Sequence, residues 1–155
     1  TILNRLPLFP LYYRGNTKFA PIHCSDLTDT IYHIISKNIH TSIIECVGPE
    51  VITFKEILRK LLKLIDKNRL LIPFPLPFAQ LSARIFEIMP QPLITRDQLR
   101  LLKYNNISSG KYKTNKDIGI PSLRYFDEEV KKYSYMWREG GQFSTEKYDL
   151  TKREN

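Results

Sequence analysis

The chain has 155 residues, which predicts one domain, and 42% of them are hydrophobic, an ordinary proportion for a chain with a buried core. No apolar run reaches the roughly 20 residues that a bilayer-spanning helix needs. The net charge of +8 favours anionic partners, but no recognised nucleic-acid-binding motif accompanies it, so nucleic acid is not the expected partner. We expect the charge to lie on solvated helix faces, with a docking surface for membrane headgroups or a large complex as the alternative.

The first strand and the first long helix are predicted between residues 19 and 38. Residues 19–23 form a short apolar run with a proline, which predicts a strand near a sheet edge. Ser25 or Asp26 is predicted to cap the helix that follows, and Asn38 to end it. Apolar residues recur along this helix at helical spacing, namely Leu27, Ile31, Ile34 and Ile35.

A second strand and helix follow directly. Residues 42–47 are a continuous apolar run, which predicts a strand covered on both faces and ended by Gly48-Pro49. Thr53 and Glu56 form a capping box at the start of a helix. Its apolar stripe is Ile57, Leu58, Leu61, Leu62 and Ile65, and its opposite face is basic, with Lys55, Arg59, Lys60, Lys63 and Lys67.

The second half of the chain is predicted to be mainly helical after a short strand at residues 70–74. A helix is expected at residues 77–89, and a second capping box, Thr95 to Gln98, opens a helix that reaches about Lys103. Residues 105–117 have a loop composition, and residues 123–137 are predicted to be helical. We therefore divide the chain into residues 1–75 (strands and helices of an α/β sheet), 76–138 (a helical cap) and 139–155 (a polar tail expected to be disordered).

Several motifs follow one another in a fixed order. Pro21-Ile22-His23 with Asp26 precedes a strand ending in Gly48-Pro49-Glu50, and the later pieces are residues 89–92, 93–102, 105–107 and 140–142. This series resembles the C-terminal portion of extended short-chain dehydrogenases of the epimerase/dehydratase type. Within that group it is most similar to the atypical accessory subunit of respiratory complex I and its bacterial homologues. The resemblance spans residues 5 to 143.

The resemblance implies an α/β fold, the C-terminal part of a Rossmann-like sheet with a mainly helical cap, whose N-terminal dinucleotide-binding half is absent from this chain. It implies NADPH or NADH as cofactor of the full-length family. None of the six glycines forms a dinucleotide fingerprint, so we expect no cofactor bound by this chain alone. Two Tyr-x-x-x-Lys matches, Tyr112/Lys116 and Tyr148/Lys152, lie in a loop composition and in the polar tail, and we interpret them as chance matches.

The expected function is therefore a non-catalytic accessory role beside NADH–ubiquinone oxidoreductase, peripheral to the inner face of a bacterial inner membrane or on the mitochondrial matrix side. Expected partners are complex I subunits, a separate Rossmann half or a second copy of the chain, with peripheral membrane contact. One alternative is the substrate-binding part of an NAD(P)-dependent sugar-nucleotide epimerase or reductase. The other alternative is a non-functional remnant, whether truncated gene product, split gene or excised fragment.

Five residues are candidates for a cleft, and each also has a purely structural interpretation. They are Pro21, His23, Asp26, Arg96 and Gln98. His23 and Asp26 follow a predicted strand, where α/β folds place ligands, but they can equally serve as a packing residue and a helix cap. Arg96 and Gln98 belong to the second capping box. The three histidines and two cysteines lack metal-ligand spacing, and Cys24 and Cys46 are expected to be reduced and buried.

Overall fold

The computed structural model describes residues 3, 7–40, 43–75, 96–138 and 140–143. Short strands alternate with helices along this part of the chain. Two 3-10 turns, Tyr12–Gly15 and Tyr135–Trp137, accompany them. The strands and helices in chain order are β1 (Leu8–Leu11), β2 (Lys18–Phe19), α1 (Cys24–Ser36), β3 (Ile44–Glu45), β4 (Ile52–Thr53), α2 (Phe54–Leu64), β5 (Leu70–Pro73), α3 (Arg96–Leu101), β6 (Lys113–Thr114) and α4 (Phe126–Ser134).

The described strands form three sheets of two strands each. β1 runs parallel to β5, with Leu8 opposite Leu70, and β3 runs parallel to β6, with Glu45 opposite Thr114. β2 and β4 are antiparallel, with Phe19 opposite Ile52. The predicted α/β class is thus confirmed at the level of mixed helices and small parallel and antiparallel sheets.

Helix α2 supplies much of the described core. Leu58, Leu62 and Ile65 are buried, as the predicted apolar stripe requires. The predicted capping box is present, because the Thr53 hydroxyl accepts the Glu56 N–H and the Glu56 carboxylate accepts the Thr53 N–H. α2 packs on α4 and on the turn that follows β1. The sequence signals of this helix were therefore sufficient to place it.

Both long helices end in the same way. Asn38 follows α1 and Asp66 follows α2, and both adopt a left-handed conformation, with φ of 51° and 54°. The next residue closes a wider turn in each case, Ile39 N–H to Ile34 C=O at 3.0 Å and Lys67 N–H to Leu62 C=O at 3.0 Å. This is a Schellman ending. The predicted stop at Asn38 is confirmed.

Helix α1 forms where it was predicted, but only half of its apolar stripe is covered, since Leu27 and Ile34 are half-buried while Ile31 and Ile35 are exposed. The most buried positions are polar, Asp26 at 5% and Thr30 at 0% exposure. By contrast, Ile31 is 48% exposed and Ile35 is 73% exposed. An apolar helix face is normally directed at a core. On α1 a large part of that face is open to solvent.

Four predicted elements differ from the structure. In the run at 42–47, of which residues 43–47 are described, only the two half-buried residues of β3 form a strand, and in the run at 19–23 only Phe19 belongs to β2. Ala20, the next residue, donates its N–H to Asn106 C=O. The predicted loop at 105–117 contains β6. The predicted helix at 123–137 begins three residues later and ends in a 3-10 turn, because residues 123 and 124 donate their backbone N–H groups to Asp26 instead.

Other predictions lie outside the described residues. These are the helix at 77–89, the Thr95 side of the second capping box, and residues 139 and 144–155 of the predicted tail. Within the described ranges, no helix combines the length and apolar character needed to cross a bilayer.

Candidate functional site

A cavity of about 500 Å³ lies where β2 and β3 end and the chain turns toward α1. Its size falls in the range of small-molecule sites. Pro21 is the one sequence candidate that lines it. The other lining residues are Phe19, Ala20, Ile22, Glu45, Cys46, Val47, Ile57, Asn106, Ile107 and Ser108.

Close backbone contact between two segments shapes one wall of this cavity. Gly48 donates its N–H to the Ala20 C=O at 3.2 Å. A Cβ atom on Gly48 would lie 1.8 Å from the Pro21 carbonyl oxygen, so only glycine can occupy the position. The predicted strand terminator Gly48 thus also sets how near the strand end approaches Pro21.

The main charged group of the cavity is the Glu45 carboxylate, which sequence reasoning did not select. It accepts hydrogen bonds from the Ser108 hydroxyl at 2.7 Å and from the Ser109 N–H at 2.8 Å. Hydrogen bonds from Ser109 and Ser108 lower the pKa of Glu45. Glu45 therefore stays ionised at neutral pH, and its hydrogen bonds connect β3 to the 105–117 segment. In the sequence, Glu45 is marked only as an acidic residue inside an otherwise apolar run.

Both cysteines are free thiols. Burial raises the pKa of the Cys46 thiol, which keeps it protonated and poorly nucleophilic. Cys24 is exposed at the start of α1, so the prediction that both cysteines are buried is wrong for Cys24, because that side of α1 faces solvent.

His23 acts as the N-cap of α1. Its Nδ1 accepts the Ser25 N–H at 3.2 Å, and its Nε2 lies 3.6 Å from Glu129 Oε2 on α4. Glu129 also binds the Lys132 ammonium at 2.6 Å, and the Lys132 hydrogen bond lowers the pKa of Glu129. The expectation that Ser25 or Asp26 caps the helix is wrong, because the His23 ring already occupies that role.

The Asp26 carboxylate binds residues that are distant in the chain. Its Oδ2 accepts the Leu123 N–H at 3.2 Å and the Arg124 N–H at 3.1 Å, and its Oδ1 pairs with the Arg124 guanidinium. His23 and Asp26 thus both contribute to docking α4: His23 contacts the helix itself, and Asp26 binds the residues just before it.

Glu50 completes the docking of α4. Its Oε1 accepts the Phe126 N–H at 3.1 Å, at the first residue of that helix. Its Oε2 lies 3.1 Å from the Lys60 ammonium, which also lies 3.2 Å from Asp127. A carboxylate at a helix N-terminus is favoured by the helix dipole as well as by the hydrogen bond.

The last two candidates lie on α3, which packs elsewhere. Arg96 is its first residue, and Gln98 is exposed. The helix is anchored through Leu99, which is buried against Tyr12, and through the carbonyl of Leu102, which accepts a hydrogen bond from the Thr17 hydroxyl. Tyr112 and Lys116 lie in turns on either side of β6 and share no helix, which removes the geometry that a catalytic Tyr-x-x-x-Lys pair needs.

Within the described ranges, no group of three or more His, Cys, Asp or Glu side chains could hold a metal ion. The ionised Glu45 in the cavity does not suit the pyrophosphate of a dinucleotide, and the first turn of α1 is already capped by His23. No protein-family model matches the chain, and no curated protein matches it.

Proposed function

We propose that the chain is the cap-forming, C-terminal portion of a Rossmann-like, short-chain-dehydrogenase-like protein that acts as a non-catalytic accessory component of NADH–ubiquinone oxidoreductase. Its work is to bind other protein surfaces, on the inner face of a bacterial inner membrane or on the mitochondrial matrix side. The single observation that carries the proposal is the exposed apolar face of α1. The order of motifs along the chain supports the proposed family.

The exposed face of α1 consists of Ile31, Tyr32 and Ile35. Tyr32 and Ile35 are each 73% exposed, and Ile31 is 48% exposed. Clustered apolar side chains of this size on one helix favour burial against another surface. The face cannot simply rotate inward, because Asp26 on the other side of the helix is held by Leu123 and Arg124.

The strands favour a protein of related architecture as the occupant. Parallel strands occur almost only in larger sheets with helices on both faces. Here β3 and β6 form a parallel pair of only two strands within the described residues. A Rossmann-type half, or a complex I subunit in its place, would extend such a sheet and cover α1.

The polar candidates support an accessory role over catalysis. His23 and Asp26 lie where an α/β enzyme would place ligand-binding groups, but both are engaged in docking α4. Gln98 lies on α3, an element anchored through Tyr12. No nucleophile paired with a base is found among these residues. NADPH, the cofactor implied for full-length relatives, would then be held by a different half of the protein.

The experiment compares three tagged forms of the full chain in cells: wild type, Ile35→Asp and Leu101→Asp. Ile35 and Leu101 are matched in exposure, at 73% and 72%, but Leu101 lies on α3. Affinity purification from gently solubilised membranes, with quantitative mass spectrometry, measures the bound complex I subunits. We expect recovery with wild type and Leu101→Asp and a loss of at least tenfold with Ile35→Asp, about 1.4 kcal/mol of binding free energy. Recovery that is equal for both variants would remove α1 as the contact.

A further inference from the structure

A cleft of about 490 Å³ lies between α2 and the start of β5, away from the cavity at Pro21. Its floor includes the buried Leu62, and its wall includes Leu70 and Leu71. The remaining lining residues are polar or charged: Lys55, Arg59, Lys63, Asp66, Lys67, Asn68 and Arg69. Five of these seven are cationic and one is acidic, so the cleft is strongly positive at neutral pH.

The cations form an ordered row along one helix. Lys55, Arg59 and Lys63 are four residues apart, which places them on one face of α2. Like charges at this spacing repel one another, so the row costs stability in the isolated chain. None of the three makes a hydrogen bond or ion pair with the described residues. The hydrogen bonds from Thr53 are the main cause of the lowered pKa of Glu56, and the charges of Lys60 and Arg59 lower it further.

Lys60 provides an internal contrast. It belongs to the same helix but faces α4, where its ammonium lies 3.1 Å from Glu50 and 3.2 Å from Asp127. The fold therefore uses one lysine of α2 for docking. Among the described residues, the row Lys55, Arg59 and Lys63 makes no comparable contact, which leaves its charge available to an external anion.

Exposed apolar side chains adjoin the charged row. Leu70 lines the cleft and is 67% exposed, Leu8 lies directly opposite it on β1, and Ile72 is the next exposed residue of β5 on the same side. A row of cations beside exposed aliphatic side chains is the pattern by which peripheral proteins bind anionic bilayers. A nucleic acid or a free phosphate would use the charges but would leave Leu8, Leu70 and Ile72 in water.

We propose that this basic cleft, together with the exposed β1–β5 pair, is a docking surface for the headgroup region of an anionic phospholipid bilayer. The cations of α2 bind lipid phosphates, and Leu8, Leu70 and Ile72 enter the boundary between headgroups and acyl chains. This surface is separate from the α1 face, so it does not depend on the partner proposed above.

The test is co-sedimentation of the purified full chain with phosphatidylcholine vesicles that either contain or lack phosphatidylglycerol. The variant Arg59→Ala/Lys63→Ala removes two charges from the row, and alanine keeps α2 helical. Its matched control is Lys111→Ala/Lys116→Ala, which removes two exposed lysines from the 105–117 segment. Circular dichroism establishes that every form is folded.

We expect binding to the anionic vesicles only, weakened by added salt. The double α2 variant should bind about thirtyfold more weakly, since each charge near an anionic surface is worth roughly fivefold in affinity. The control should lose much less. Leu70→Gln should weaken binding with every charge retained.

Three outcomes would overturn the proposal. Equal binding to vesicles with and without phosphatidylglycerol would remove the charge argument. Equal losses in the α2 variant and the 105–117 control would show that net charge, and no particular surface, drives binding. Unchanged binding by Leu70→Gln, with inorganic phosphate competing at the cleft, would assign the cleft to a free anion. None of these results bears on the recovery of complex I subunits through α1.

Discussion

Asp26 and Arg124 are 98 residues apart in the chain and form an ion pair at the junction of α1 and the segment that leads into α4. The carboxylate also accepts the backbone N–H groups of Leu123 and Arg124. Asp26 is itself buried, and these donors satisfy its carboxylate oxygens. This contact fixes which face of α1 is buried, and so which face is exposed.

Removal of the Asp26 carboxylate should destabilise the chain. Asp26→Ala leaves two backbone N–H groups and a guanidinium without their acceptor, and we expect the free energy of unfolding to fall by about 3 kcal/mol. Asp29→Ala is the matched control, since Asp29 lies 3.4 Å from the same guanidinium but its side chain is 63% exposed. Urea unfolding should show a much smaller loss for the control. Similar losses would contradict the role given to Asp26.

Gly48 should tolerate no side chain. A Cβ at this position meets the Pro21 carbonyl oxygen at 1.8 Å, so Gly48→Ala should cost about 3 kcal/mol or more in the free energy of unfolding. Gly110→Ala is the comparison, because nothing lies within 4 Å of its Cβ position and only its φ of +71° opposes the change. We expect about 1–2 kcal/mol there. Thermal unfolding of both variants shows which substitution destabilises the chain more. A smaller loss at Gly48 than at Gly110 would show that the segments of Gly48 and Pro21 can move apart.

The capping box of α2 should make a measurable contribution. Thr53→Ala removes the hydroxyl that accepts the Glu56 N–H at 3.2 Å, and the expected loss in the free energy of unfolding is about 1 kcal/mol. Thr53→Ser keeps the acceptor and should restore most of the loss. Denaturant titration of the three forms makes the comparison. If serine behaves like alanine, the hydroxyl bond does not stabilise the helix.

Stability should fall in acid, in part through Glu45. Hydrogen bonds from Ser109 and Ser108 lower its pKa from the ordinary value of 4.5, so the unfolded chain binds the proton more tightly. The stabilisation is present above pH 4.5 and is lost as the pH falls through the folded-state pKa. Glu56, Asp117 and Glu129 also have lowered pKa values and act in the same direction.

The measurement is the thermal midpoint as a function of pH for wild type and Glu45→Gln. The variant should have a lower midpoint at neutral pH and a shallower decline below pH 4.5. Glu128→Gln, at an exposed position of α4, is the control and should follow wild type. Parallel curves for wild type and Glu45→Gln would show that the Glu45 bonds do not contribute to folding.

The sequence predicts best where local signals are complete. α2 combines a capping box and an apolar stripe, and its place and buried face follow from them. α1 has an apolar stripe and a stop at Asn38 that were predictable, but its N-cap is His23 and was not predicted. Its orientation was not, because it is set by Leu123 and Arg124, almost a hundred residues away.

The 105–117 segment illustrates the same limit. Its composition is that of a loop, but it contains β6, whose backbone pairs with that of β3. Asn115 is buried beside it, where its side chain accepts the Val47 N–H at 2.9 Å and donates to Ser122 at 3.0 Å. From composition alone, Asn115 is expected to be a turn residue, because the residues around it in the sequence do not indicate a partner so far away in the chain. Glu45 was missed for the same reason.

We propose above that the chain works as a bound component of NADH–ubiquinone oxidoreductase. The most direct test is the amount of the untagged chain in that enzyme after native purification from gently solubilised membranes, measured by quantitative mass spectrometry. We expect the chain to migrate with the enzyme in an amount equimolar with its core subunits and to be depleted from other fractions. Recovery of the chain entirely apart from the enzyme, with enzyme activity unchanged in its absence, would show that it is not an accessory component.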